Sequence, residues 1–280
     1  MKNLSDEPPE FLEEEVTLRN GPVSLAGTLV RPAKPARTPA IVVVHGSGDQ
    51  GRDDGFYRFW GEFFAGRGVA ALIYDKRGVG GSTGNHTLAT FDDLASDAVA
   101  AVTWLKRHPA MRAEAIGLFG ISQGGWIAPL AASRTEDVKF LILNVGPAVA
   151  VRQQELDRVE YTLLENEFTQ AEIDEALDYT RAMFDTAYTG EGRDRLDALT
   201  RMSRGRSWTG HVDLIEADDD LDGWRRIRYD PAPVLSRMTI PLLALFGEAD
   251  TLVPPATNRN AMENALREAG NRDVTIRVHP

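Results

Sequence analysis

The chain has 280 residues, 42% hydrophobic and 26% charged, enough to build a substantial core beneath an ordinary polar surface. A net charge of −11 disfavours nucleic acid and anionic membranes as partners, because their phosphates would be repelled. The absence of cysteine excludes disulfides and thiolate metal sites, which fits a reducing compartment. The opening stretch from Met1 to Glu10 is polar and acidic without an apolar signal region. No run is long enough to span a bilayer, so the expected location is cytoplasmic.

Glu13 to Arg19 and Val23 to Val30 read as two strands about Asn20-Gly21, a dipeptide suited to the positive φ of a tight hairpin. Pro32, Pro35 and Pro39 interrupt the pattern. Ala40 to Val44 predicts a buried strand ending at His45-Gly46-Ser47-Gly48. Phe56 to Ala65 predicts a helix, with Phe56, Phe59, Trp60, Phe63 and Phe64 at helical spacing and Gly66 and Gly68 to stop it. Val69 to Tyr74 is the next strand, leading into Asp75-Lys76-Arg77-Gly78-Val79-Gly80-Gly81-Ser82. Thr90 to Asp93 forms a capping-box variant before a helix that presents Leu94, Ala98, Val102 and Leu105 on one face and ends near Pro109.

Ala115 to Phe119 is a short apolar run with the look of a buried parallel strand, and Trp126 to Ala132 continues as an apolar helix. Between them lies Gly120-Ile121-Ser122-Gln123-Gly124-Gly125. A strand turning this sharply into a helix strains its central residue, and the flanking glycines remove Cβ atoms that would clash. The Ser122 hydroxyl is thereby held at the tip of a turn, where N–H groups of the helix start can stabilise an oxyanion. Phe140 to Leu143 is another strand, and the alternation of strands with helices points to a parallel α/β sheet. From about Ala150 to Ser236 the alternation stops. Gln153 to Glu167 and Gln170 to Tyr188 read as charged helices, while Trp208 to Leu214 and Asp218-Asp219-Asp220 read as irregular. It resumes with a strand at Pro241 to Phe246, a helix at Pro255 to Ala269 and a strand at Asp273 to Val278, so the excursion reads as an inserted cap.

The motifs resemble those of bacterial α/β-hydrolases of the carboxylesterase type, grouped with serine aminopeptidase-like and dienelactone hydrolase-like proteins. The segments that carry the likeness are His45 to Gly48, Asp75 to Ser82, Gly120 to Gly125, and Leu245-Phe246-Gly247-Glu248-Ala249-Asp250-Thr251-Leu252-Val253-Pro254-Pro255. They cover nearly the whole chain outside the cap. The resemblance implies an α/β-hydrolase fold, a mostly parallel sheet with helices on both faces. Hydrolase core would span 1–149 and 237–280, with a helical cap at 150–236. It makes Ser122 the nucleophile and Asp250 the acid that orients a histidine, since Asp250 follows a strand on the appropriate edge of the sheet. Glu248 is the second choice of acid, and Asp250 could also serve simply as a turn or helix-capping residue. The backbone amides of Ser47 and Gln123 would form the oxyanion hole, with Gly46 as the alternative to Ser47. His45 matches a structural histidine of the family, and Asp75 and Arg77 match a loop in which charged side chains tie the backbone together.

In this family the base follows the last strand, in a loop resembling Pro-Gly-Ala-Asn/Asp-His. Here Val274 to Val278 runs into His279-Pro280, so the chain is expected to be truncated at its C-terminus, with the base and a closing helix beyond Pro280. Within the chain His279 has the required order, serine then acid then histidine. His108 suits a helix C-terminus, His211 lies in the cap and His86 stands near the site rim. The expected function is cleavage of a small or medium carboxylic ester through an acyl-enzyme at Ser122, with peptidase and acyltransferase variants of the same chemistry open. The alternative is a hydrolase-fold protein that only binds ligand. No cofactor or metal is expected, and Asp218 to Asp220 reads as a solvated acidic loop. Trp208 and Trp224 either line an acyl pocket or pack within the cap, ordinary packing being the stronger account.

Overall fold

Asn20 and Gly21 fold the first two strands back on each other. β1 (Phe11–Asn20) and β2 (Val23–Pro32) pair antiparallel with Asn20 opposite Val23, and Gly21 takes the positive φ of 56° that the turn needs. The computed structural model describes residues 11–33 and 37–280; the polar stretch from Met1 to Glu10 and Pro35 lie outside them. Among the described residues, eight strands form a mostly parallel sheet flanked by helices. The described residues divide into two compact units, those up to His86 with Leu94–Ile142, and Thr87–Asp93 with Leu143–Pro280.

In the first unit β2 pairs antiparallel with β4 (Ala70–Tyr74), which pairs parallel with β3 (Thr38–Val44), and β3 pairs parallel with β5 (Met111–Ile121). Every residue of β4 is buried, as is Ala40 to Val44, as expected for strands covered on both faces. Helix α1 (Gly55–Ala65) starts at Asp54, whose carboxylate accepts the Phe56 N–H at 2.8 Å. The helix is formed as the spacing predicts, and its buried line is Tyr57, Gly61 and Ala65. Gly61 decides this: it brings the helix backbone against Val30 and Ile73, so its own face makes the closest approach. Trp60 and Phe64 pack half-buried beside that line, whereas Phe56 and Phe59 are 48% and 54% exposed.

Helix α2 (Phe91–Arg107) begins with the reciprocal cap read from sequence, Asp93 accepting the Thr90 N–H at 2.9 Å and Thr90 Oγ1 the Asp93 N–H at 3.1 Å. Helix α3 (Gly124–Ala132) is buried from Gly124 to Ala131, and β6 (Phe140–Asn144) follows it.

The second unit holds α4 (Val151–Glu165), α5 (Gln170–Thr189), α6 (Arg193–Ser203), a 3₁₀ turn at Ser207–His211, α7 (Asp218–Arg226) and α8 (Ala232–Leu235). Asp218, Asp219 and Asp220 are the first turn of α7 rather than an irregular loop. Carboxylates are favoured at a helix N-terminus, and Asp220 accepts the Glu216 and Ala217 N–H groups at 3.0 Å each. Then come β7 (Leu242–Gly247), α9 (Pro255–Glu268) and β8 (Val274–His279). β7 and β8 pair parallel, with Gly247 opposite His279.

Candidate active site

At the end of β5 the chain turns through Ser122, which is half-buried and has a φ of 51°, in the left-handed region that non-glycine residues seldom occupy. Its surroundings hold it there. A Cβ on Gly120 would overlap the Gly124 carbonyl and stand 3.0 Å from the Ala128 methyl, and one on Gly124 would overlap the Val44 carbonyl oxygen. Strand, turn and helix therefore pass too close for any side chain at either position. Ser122 O accepts the Gly125 N–H at 2.6 Å, and Gln123 already has helical torsions of −47° and −32°. The Gln123 N–H thus belongs to the open first turn of α3, whose N–H groups lack intrahelical acceptors.

The loop after β3 runs beside this turn: a Cβ on Gly46 would stand 3.6 Å from that of Ser122. His45 Nε2 lies 2.6 Å from the Tyr74 carbonyl, so that nitrogen carries the hydrogen. Burial, helped by the Lys76 charge, lowers the His45 pKa to about 3, so the ring is neutral and committed to its structural bond. The Tyr57 hydroxyl accepts the Gly46 N–H at 2.9 Å, which leaves Ser47, exposed at the loop tip, as the freer of the two sequence-predicted amides. Lys76 reaches the same loop from below, donating to Gly46 O at 2.5 Å and Gly48 O at 3.0 Å.

Asp75 and Arg77 serve the backbone. Asp75 accepts the Arg52 N–H at 2.9 Å and the Gly81 N–H at 2.8 Å, and a Cβ on Gly80 would strike its carboxylate at 2.5 Å. Arg77 makes a paired contact with Asp97, at 2.7 and 2.8 Å, and both are buried. His86 pairs with Asp49 at 2.8 Å, just past the Ser47 loop.

Asp250 and His279 belong to the second unit. Asp250 follows β7, and its Oδ1 accepts the Leu252 and Val253 N–H groups at 2.9 Å each, closing the turn before Pro254. That bonding occupies one carboxylate oxygen. The loop is anchored from α4 and α9: Gln154 donates to Leu252 O at 2.5 Å, and the fully buried Asn258 donates to Gln154 at 2.8 Å and Pro254 O at 3.1 Å. His279 ends β8 with an exposed side chain, its carbonyl accepting the Glu248 N–H at 2.7 Å. Among the described residues no hydrogen bond or ion pair joins the Asp250 and His279 side chains.

A family model described as serine aminopeptidase, S33, matches residues 35–280. The chain belongs to the serine aminopeptidase S33 family. Esterase EstD of Thermotoga maritima is 25% identical over 278 residues, 97% of this chain and 59% of that protein. Two Mycobacterium tuberculosis proteins whose descriptions name a phosphoribosyl transferase are 32% identical over 125 residues, 45% of this chain and 28% of theirs. The chain thus spans from 28% to 59% of the length of these relatives. An esterase structure from Pyrococcus furiosus aligns with a TM-score of 0.65 at 17% identity, covering 100% of this chain and 87% of that one. That likeness shows the α/β-hydrolase fold.

For this S33 family member, four hydrogen bonds escaped sequence reasoning: Tyr57 with Gly46 and Lys76 with Gly46 and Gly48 in the first unit, and Gln154 with Leu252 in the second. Tyr57 carried one usable signal, its place four residues before Gly61 on the small-residue face of α1. The tryptophans divide. Trp208 is 1% exposed, packs on Tyr179 and donates Nε1–H to Glu175 at 3.2 Å, whereas Trp224 is half-buried against Phe184. His211 packs on Phe168, and His108 meets Glu14 at 3.2 Å. Among the described residues, no helix is long and apolar enough to cross a membrane.

Proposed function

We propose that this chain is a serine hydrolase that cleaves a small or medium carboxylic ester through an acyl-enzyme at Ser122. The observation that carries the reading is the left-handed Ser122 between Gly120 and Gly124, neither of which has room for a Cβ. A strained residue locked by close backbone packing is what presents a hydroxyl to a substrate carbonyl. The Gln123 and Ser47 N–H groups would receive the oxyanion of the tetrahedral intermediate. Asp250 would hold a histidine in the tautomer that accepts the Ser122 proton and would stabilise the imidazolium; within this chain His279 is the candidate base. No cofactor enters this scheme, and the partner is a small-molecule ester.

The test is labelling by a fluorophosphonate probe, read by peptide mass spectrometry. Modification of Ser122, absent in Ser122→Ala, supports the nucleophile; equal labelling of the variant overturns it. Turnover of p-nitrophenyl butyrate against an aminoacyl p-nitroanilide then separates esterase from the peptidase reading, which the family description favours. Binding of the ester without labelling or turnover would instead identify a ligand-binding hydrolase fold.

A further inference from the structure

The Ser47 N–H shares a peptide group with the Gly46 carbonyl. In a trans peptide these point in opposite directions, so whatever grips the oxygen sets the direction of the N–H. Lys76 grips it, at 2.5 Å, and holds the Gly48 oxygen on the far side of Ser47 at 3.0 Å. The lysine itself is 4% exposed, and its own N–H donates to Gln50 O at 3.0 Å, so the ammonium is carried by a fixed backbone. The rest of the loop is tied as well: Gln50 donates to Ser47 O at 3.0 Å, and Gly48 has a φ of 82°.

We infer that Lys76 is a positioning residue for the oxyanion hole, acting through the Gly46–Ser47 peptide to aim and polarise the Ser47 N–H. The inference rests on the proposed nucleophile, Ser122. A cation bonded to a peptide oxygen draws electron density from the N–H on the other side of the same group and strengthens it as a donor. The contribution appears when negative charge develops on the substrate oxygen, and is small toward the neutral carbonyl of the ground state. Lys76 is therefore expected to lower the barrier rather than to bind substrate. Elsewhere around it, the titratable groups are His45, Tyr74 and Asp97, which line a small cavity together with Lys76, and Asp49, whose charge acts on the ammonium.

The experiment compares the wild type with Lys76→Met and Lys76→Gln, using p-nitrophenyl butyrate and phenylboronic acid, which forms a tetrahedral adduct on an active-site serine. Lys76→Met should lower kcat by about 10²-fold, comparable to losing one oxyanion donor, with KM nearly unchanged. Inhibition by phenylboronic acid should weaken in step with kcat, and Lys76→Gln, which keeps a neutral donor, should fall between the two. A folded Lys76→Met protein with unchanged kcat, or one whose loss lies in KM, overturns the inference while leaving fluorophosphonate labelling of Ser122 intact. Failure of wild-type labelling sinks the nucleophile instead, a separate result. If neither variant folds, the wild type decides. Burial lowers the Lys76 pKa to about 8, while His45 is neutral there and burial pushes Tyr74 up. The Ser47 amide proton resonance should therefore move with a midpoint near that pH; a Ser47 resonance indifferent to pH across it overturns the inference.

Discussion

Gly124 sits so close to Val44 that a Cβ on it would overlap the Val44 carbonyl oxygen, and it would stand 3.0 Å from that of His45. The start of α3 is thereby pressed onto the end of β3, which fixes the helix end of the turn that carries Ser122. Gly124→Ala must push backbone against backbone, which has no flexible end to yield. It should destabilise the protein by about 1–3 kcal/mol, the usual cost of overpacking, and displace Ser122 enough to suppress fluorophosphonate labelling. Urea denaturation and labelling check both. An unchanged midpoint with full labelling would show that the turn tolerates the methyl.

Asp250 uses Oδ1 to hold the Leu252 and Val253 N–H groups, a task an asparagine side-chain oxygen can also perform. Asp250→Asn should therefore keep the fold while removing the charge proposed to orient the base, lowering kcat by about 10⁴-fold. Asp250→Ala should lose the turn as well and unfold at lower urea. A loss below tenfold in Asp250→Asn would shift the acid's role to Glu248.

His45 makes the protein sensitive to acid. Burial and then the Lys76 charge lower its pKa from 6.5 to about 3, so between those values the unfolded chain binds a proton that the folded one refuses. Stability then rises with pH and falls as acid is added, by about 2 kcal/mol from this group on going from pH 7 to pH 5. His45→Gln can still donate to the Tyr74 carbonyl but does not titrate, and should show a shallower fall. Urea midpoints at the two pH values measure the difference. Equal falls in the two proteins would remove His45 from the account.

Trp208 is packed rather than open to a substrate, with its indole against Tyr179 and its N–H on Glu175. Trp208→Ala should destabilise the second unit by about 3–5 kcal/mol, as large-to-small changes in a core do. Trp224, half-buried on Phe184, should cost less. Thermal denaturation of the two variants gives the comparison, and a Trp208→Ala protein as stable as the parent would contradict the packing.

Much of the fold was legible in the chain because its signals are local. Asn20-Gly21 marks its hairpin within two residues, Thr90 and Asp93 cap their helix within one turn, and Gly120 and Gly124 frame Ser122 within five. The helical character of 150–236 was legible from the break in alternation, though not the third helix α6 or the start of α7 at the acidic run. Charge alone does not distinguish a solvated loop from a helix N-terminus.

What the tertiary structure alone decided are the contacts that join distant positions. Lys76 reaches Gly46 across 30 residues, Arg77 finds Asp97 across 20, and Gln154 reaches Leu252 across 98. The buried face of α1 was decided in the same way, by where Gly61 allows the helix to meet Val30 and Ile73. Spacing along a chain records the turns of a single helix or strand. It carries no record of which loop another element will be folded against, because that depends on how the packed faces of the whole sheet come together.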